Sequence, residues 1–286
     1  MPTSTLSDVL HRVINRCREG HAITSLKTLG MDEISYRKGR KFATVVYDID
    51  KQCVVWVGAG KGRETADKFF VCLGARKRQG IRWACCDMSE AYLGAVRHWC
   101  PKAILVTDRF HVAKALNAAV DEVRKVQWRQ AKGDERKALK GLRWLLYRHS
   151  RTRSKADTRR LNELKKSNAR IHRAWVLKDE FERFWEYRSR RVAESFFRGW
   201  ITAALRSRLE PMRTFARTLQ DHAYCILPFI GTRLTNAVAE GINRVIRIVK
   251  NRASGYANLS SFSDMIYLTV GDLDMPAQIP AAFRTL

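Results

Sequence analysis

Hydrophobic positions along this chain change their rhythm twice, and the changes divide it. Residues 26–58 read as β-structure. "LKTLGMDEIS" is followed by a basic turn, "YRKGRK", then by "FATVVYDI", a polar turn at "DIDKQ", and "CVVWVGA". The last two runs are rich in Val, Tyr and Trp and flank a tight connection, which predicts a hairpin. From residue 64 to 79 the spacing becomes helical, with Phe69, Phe70 and Leu73 on one side. "IRWACCDM" is a short apolar strand ending in an acid. "SEAYLGAVRHWC" is a helix stopped by Pro101, and "AILVTD" is another strand. A long helix follows from His111 to about Trp128. Residues 4–20 form a short basic helix, capped by Thr5 or Ser7 and ended by Gly20.

The resulting order is β-β-β-α-β-α-β-α. Its first three strands form a meander, and the later strands, joined by helices, are parallel with right-handed crossovers. The expected fold class is α/β, a mixed sheet with helices packed on it. A dinucleotide-binding fold needs a Gly-rich loop after its first strand, and "YRKGRK" has a single Gly. Residues 112–222 are almost strandless, with apolar residues at helical spacing among many Arg and Lys, a solvent turn at "HSRTRSKAD" and an interruption at Pro211. A final acidic helix spans 233–249. A short apolar helix and a loose tail follow.

Composition adds a partner. The 286 residues are 45% apolar, enough for a sizeable core, and carry 54 Lys+Arg against 28 Asp+Glu, a formal charge of +26. Such a balance points to a polyanion: DNA, RNA or an anionic membrane. No apolar run is long enough to cross a bilayer, and the first residues lack the apolar centre of a secretory signal. That leaves nucleic acid as the expected partner. The seven cysteines include no CxxC pair, and the adjacent Cys85 and Cys86 of a strand point to opposite faces. They read as reduced cysteines in a cytoplasmic protein, with no zinc site.

Candidate chemistry lies in acids at the ends of strands. Asp32 lies at the end of the first strand and Asp87 closes the fourth, where open α/β sheets place ligands. Glu240 lies on the acidic helix, one turn before Asn243, with Arg244, Arg247 and Lys250 following. Carboxylates in a cationic chain can hold Mg²⁺ against phosphate. The bland readings stand beside this one: Asp87 as a cap for the helix near Ser89, and the Glu240 helix as an ordinary amphipathic surface. Glu33, next to Asp32, faces the other way, and Asp48 and Asp50 fit the hairpin turn. Asp108 and His111 share a face in the first turn of the long helix. Both a supporting polar pair and a simple helix cap fit them. Trp128, Trp144, Trp175, Trp185 and Trp200 are expected in the helical core rather than stacked on bases.

Four stretches share a pattern: "LGMDEISYRKGRKFATVVYDID", "CCDMSEAYLGAVRHWCPKAILVTDRFHVAKALNAAVDEVRK", "AWVLKDEF" and "TNAVAEGINRVIRIVKNRASGYANLSSF". Together they resemble the ISL3 family of bacterial insertion-sequence transposases, from about residue 26 to 268, in the same motif order. "DRFHVAK" and "EGINRVIRIVKNRASGY" carry most of the specificity.

The resemblance implies a DDE transposase with a ribonuclease-H-like core. It divides the chain into a linker or helix (1–25), the first part of the core (26–125), a helical insertion (126–225), the end of the core with the acidic helix (226–270) and a tail (271–286). It implies Asp32, Asp87 and Glu240 as the catalytic acids and ligands of Mg²⁺, with Mn²⁺ as a substitute, and Asp108 with His111 as supporting or alternative residues. Arg37, Lys38, Arg40, Asn243, Arg244, Arg247 and Lys250 become candidates for binding DNA. The implied reaction is Mg²⁺-dependent strand cleavage and transfer by a homo-oligomer assembled on element ends and target DNA, in the bacterial cytoplasm at the nucleoid. The family's usual N-terminal zinc-binding and helix-turn-helix segments are not complete here. The alternative is therefore a truncated derivative that binds DNA without cutting it.

Overall fold

The computed structural model describes residues 6–273 except 21, 22, 24, 38 and 40. Expectations for Lys38, Arg40 and the tail beyond Leu273 fall outside them. The chain separates into two compact units. One comprises residues up to Val106 together with those from Leu234 onward, and the other is Thr107–Arg233.

The first unit is built on a sheet of β1 (Thr28–Arg37), β2 (Lys41–Asp48), β3 (Cys53–Ala59), β4 (Trp83–Cys86) and β5 (Ile104–Thr107). Their spatial order is β3-β2-β1-β4-β5. β2 runs antiparallel to both β1 and β3, whereas β1 and β4 run parallel. The sheet is therefore mixed, as the order of strands and helices indicated. Around it lie α1 (Leu6–Gly20), α2 (Arg63–Leu73), α3 (Ala75–Arg78) and α4 (Glu90–Trp99). At the hairpin turn, Asp48 Oδ1 accepts from the backbone N–H groups of Asp50 and Lys51, and Gln52 takes a positive φ of 57°. This turn matches the reading of Asp48 and Asp50 as turn residues.

Two sequence expectations need correction. The single helix expected over 64–79 is broken at Gly74, which adopts φ 80° and ψ 157° and turns its N–H back to the Phe70 and Val71 carbonyls. That conformation belongs almost to glycine alone, so the helix ends there and a short turn of helix restarts. Asp32 also does not end its strand. β1 continues to Arg37 because β2 keeps pairing with it, Asp32 lying opposite Val45. Only the parallel ladder with β4 stops, at Met31 and Cys86.

The second unit is helical. It contains α5 (Arg109–Gln130), α6 (Gly133–Ala138), α7 (Leu142–Tyr147), α8 (Lys155–Ser167), α9 (Ala169–Glu182), α10 (Arg190–Arg206), α11 (Glu210–Asp221), α12 (Ala223–Ile226) and α13 (Phe229–Thr232). Sequence punctuation sets these ends. Asp108 caps α5 by accepting from Phe110 N, and Ser154 and Asp157 form a reciprocal capping box on α8. Pro211 sits in the first turn of α11, where its missing N–H costs nothing. Phe181, Phe184 and Trp200 are buried together, and Trp200 Nε1 donates to the Leu177 carbonyl at 2.8 Å. Trp175 and Trp200 thus lie in the core and Trp185 joins their aromatic cluster. Trp144 does not. It is 67% exposed, with the Arg143 guanidinium over its ring.

The chain returns to the first unit through α14 (Ala237–Arg252) and α15 (Leu259–Val270). Ile242 and Ile246 of α14 and Phe262, Ile266 and Tyr267 of α15 bury against Ile34, Val45, Tyr47 and Val54 of the sheet and Ile14 of α1. Removing apolar surface of this extent from water is what holds α14 to the strands. It also decides which face of α14 is turned inward.

Candidate active site

Alternation along β1 places Asp32 and Ile34 on one face of the sheet and Glu33 on the other. The Asp32 face is the one covered by α14. There Asp32 Oδ1 accepts from its neighbour's backbone, Glu33 N, at 2.7 Å, and Oδ2 accepts from Asn243 Nδ2 at 2.7 Å. The other end of the Asn243 amide, Oδ1, accepts from the Tyr47 hydroxyl. Tyr47 and Asn243 are both buried. Burial, with the Asp32 charge adding to it, raises the Tyr47 pKa well above its usual value, so the phenol stays a donor. Gly30 lies opposite Tyr47, and a Cβ on it would come within 2.7 Å of Ile49 and 3.2 Å of the Tyr47 ring. The bare backbone at Gly30 makes room for that ring.

Asp87 follows β4 directly, one residue beyond the last paired positions of the parallel ladder, Met31 and Cys86. Asp32 is the corresponding next residue on β1, so the backbones of the two acids stand side by side. Asp87 Oδ1 accepts from Ser89 N at 3.0 Å, so it also takes the capping part expected of it before α4. On the opposite face, Tyr92 of α4 meets Thr44 at 3.1 Å. Burial raises its pKa, and the charges of Glu33, Asp87 and Asp32 push the same way. Glu240 is exposed in the first turn of α14, three residues before Asn243 and hence on nearly the same helix face. Among the described residues, no group of three or more His, Cys, Asp or Glu side chains is arranged to hold a metal ion. Asp32 and Asp87 are neighbours, and Glu240 stands near the Asn243 contact without joining them in one cluster.

The remaining candidates divide. Asn243 is not a surface residue for DNA. It is 2% exposed and committed at both ends of its amide. Lys250 Nζ donates to the Ser35 carbonyl at 2.6 Å, and Arg37 Nη1 to the Ala257 carbonyl at 3.1 Å, so both also tie elements together. Arg244 and Arg247 are exposed on α14. In the helical unit, Asp108 Oδ2 lies 3.3 Å from His111 Nδ1, the expected shared face. Tyr47 was missed as a site residue. The signal available was a single phenol in an otherwise apolar strand, and its importance depends on a residue far away in sequence.

Taken as a class, this is an α/β protein with an acidic site at adjacent strands and a cationic helix packed across it. The chain belongs to the ISL3 family of DDE transposases, whose family model, described as a transposase, matches residues 29–266. Similar proteins include the transposase for insertion sequence element IS1001 of Bordetella parapertussis, 35% identical over 242 residues, covering 84% of this chain and 60% of that protein. The transposase for insertion sequence element IS1557 of Mycobacterium tuberculosis is 26% identical over 269 residues, covering 86% of this chain. The chain spans 60% of the length of each of these curated relatives. Among the described residues, no helix is long and apolar enough to cross a membrane.

Proposed function

We propose that this chain is the catalytic part of an insertion-sequence transposase that cleaves DNA strands and joins them to a target in a Mg²⁺-dependent reaction. The strand order β3-β2-β1-β4-β5, with β2 alone reversed against β1, supports reading the first unit as a ribonuclease-H-like core. The helical unit Thr107–Arg233 would then be an insertion before the acidic helix. The observation that carries the proposal is the pairing of Asp32 and Asp87 at the end of the β1–β4 ladder, with the Glu240 helix fastened to Asp32 through Asn243.

The donor set suits a hard cation in its chemistry, since all three groups are carboxylates. Asp32, Asp87 and Glu240 would hold Mg²⁺, or Mn²⁺ in its place, the exposed Glu240 side chain turning toward the strand pair. A bound Mg²⁺ supplies Lewis acidity toward phosphate oxygens and lowers the pKa of a water. The carboxylates would orient that water for in-line attack on a phosphodiester at an element end. The P–O3′ bond breaks, and the 3′ oxygen departs as a hydroxyl. In the second step this 3′-OH attacks a target phosphodiester, so one phosphodiester forms as another breaks. Arg244 and Arg247, exposed beside the site, would position the strands through their phosphates.

A second reading is a DNA-binding derivative without cleavage, favoured by the failure of the three acids to converge. Incubating the protein with DNA bearing terminal inverted repeats, in Mg²⁺ and in EDTA, separates the two. Cleavage in Mg²⁺ alone is expected, abolished by D32A, D87A or E240A with DNA affinity retained. D108A, in the helical unit, is expected to keep measurable cleavage. Loss of cleavage in D108A with D87A active would move the second acid from Asp87 to Asp108.

A further inference from the structure

We infer that Asn243, held by Tyr47, is the positioning residue that presents Asp32 to a divalent cation and fixes the α14 register beside it. The inference rests on the cation-site reading above. The Asn243 amide bridges two groups separated widely in sequence, Tyr47 on β2 and Asp32 on β1. Its orientation is determined by chemistry. A carboxylate only accepts, so Nδ2 must face Asp32, and Oδ1 is left to accept from the phenol. Tyr47 therefore acts as a lock on the amide, which otherwise could rotate its oxygen toward the carboxylate.

The neutrality of the amide is the second part of the argument. The chain has 54 Lys and Arg, yet the side chain placed on Asp32 Oδ2 is an uncharged one. An Arg or Lys there would neutralise the carboxylate and oppose a cation with its own charge. An amide N–H orients the oxygen without competing for the charge. A carboxylate has about four acceptor sites, so one hydrogen bond of this kind leaves capacity for a metal. The same residue lies three positions after Glu240 on α14. The contact that aims Asp32 thus also sets how far along β1 the first turn of α14 rests. Lys250 repeats the fastening farther along, on the Ser35 carbonyl.

The test is Mn²⁺ binding to the full chain, followed by electron paramagnetic resonance of the free ion, for wild type, D32N, N243L and Y47F. Leucine nearly preserves the volume of asparagine and removes the donor. Y47F removes only the hydroxyl. Removing a partner that orients a ligand typically weakens metal binding by about tenfold or more. N243L is expected to raise the Mn²⁺ dissociation constant by about tenfold, and Y47F by less but in the same direction. Thermal melts of the same samples identify the folded fraction. A purely structural role would lower the melting temperature and leave the affinity of the folded protein unchanged. Unchanged Mn²⁺ affinity in both N243L and Y47F, with D32N impaired, overturns the positioning role alone. A wild type that binds no more tightly than D32N removes the cation site, and this inference with it.

Discussion

Asp121 shows what one carboxylate contributes in a chain with so many cations. Its side chain is buried on α5 and accepts from Arg124 Nε at 2.7 Å, with Lys125 and Arg143 at 3.5 Å and 3.8 Å. Burial alone would raise its pKa, but the Arg124 hydrogen bond and the three positive charges outweigh it and the pKa is lowered. A depressed folded-state pKa means stability that is present above the unfolded value of about 3.9 and lost as pH falls through the folded value. D121N is expected to destabilise the helical unit by roughly 2 kcal/mol at neutral pH, the scale of a hydrogen bond to a charged group. In denaturant titrations the gap between wild type and D121N should close below about pH 4; a gap that persists there assigns the effect to packing. At this scale the sequence disclosed residue types better than residue roles. Asp32, Asp87 and Glu240 stood out as acids beside strands and helices. The task of Asn243 was hidden because helical spacing put it in line with exposed arginines. Its inward turn comes from the neighbouring Ile242 and Ile246, which bury that side of α14. Trp144 failed in the opposite sense, since helical periodicity in a short element such as α7 does not say which face a neighbour covers.

At the scale of elements, glycine placement decides more than propensity does. Gly74 ends α2 in a conformation that costs other residues about 1–3 kcal/mol. G74A should lower the stability of the first unit by that amount, measured by chemical denaturation, with little change in helix content by circular dichroism. An unchanged midpoint would mean that the α2–α3 junction relaxes into continuous helix. The strands were legible because the apolar runs had clear turn chemistry between them, and the parallel pairing followed from the helices joining them. Strand length was less legible. The extension of β1 past Asp32 depends on β2 lying alongside, a tertiary circumstance that no local window contains. The same holds for the α14–β1 seam, closed by Asn243 and Lys250 onto residues more than two hundred positions earlier.

For the molecule as a whole, charge is the dominant fact. With a formal charge of +26, binding to duplex DNA should be governed largely by release of counterions from phosphates. If about six to ten phosphates are contacted, affinity should fall by roughly 10³–10⁵ between about 50 and about 200 mM salt. A salt slope near zero in an electrophoretic or fluorescence titration would remove DNA as the partner of this surface. Discontinuity of the first unit has a consequence in time. Asp32 and Asp87 are made early, but α14, which carries Glu240 and Asn243, emerges only after the whole of Thr107–Arg233 has been synthesised. The helical unit is continuous and meets its partners while the sheet still exposes the apolar face of Val45 and Tyr47. During synthesis, at about 5–20 residues per second, the nascent chain therefore passes through a stage lasting several seconds or more in which two acids are present and the third is not. A strand-cutting site assembled in this order stays silent on the ribosome until the last helices arrive to close it.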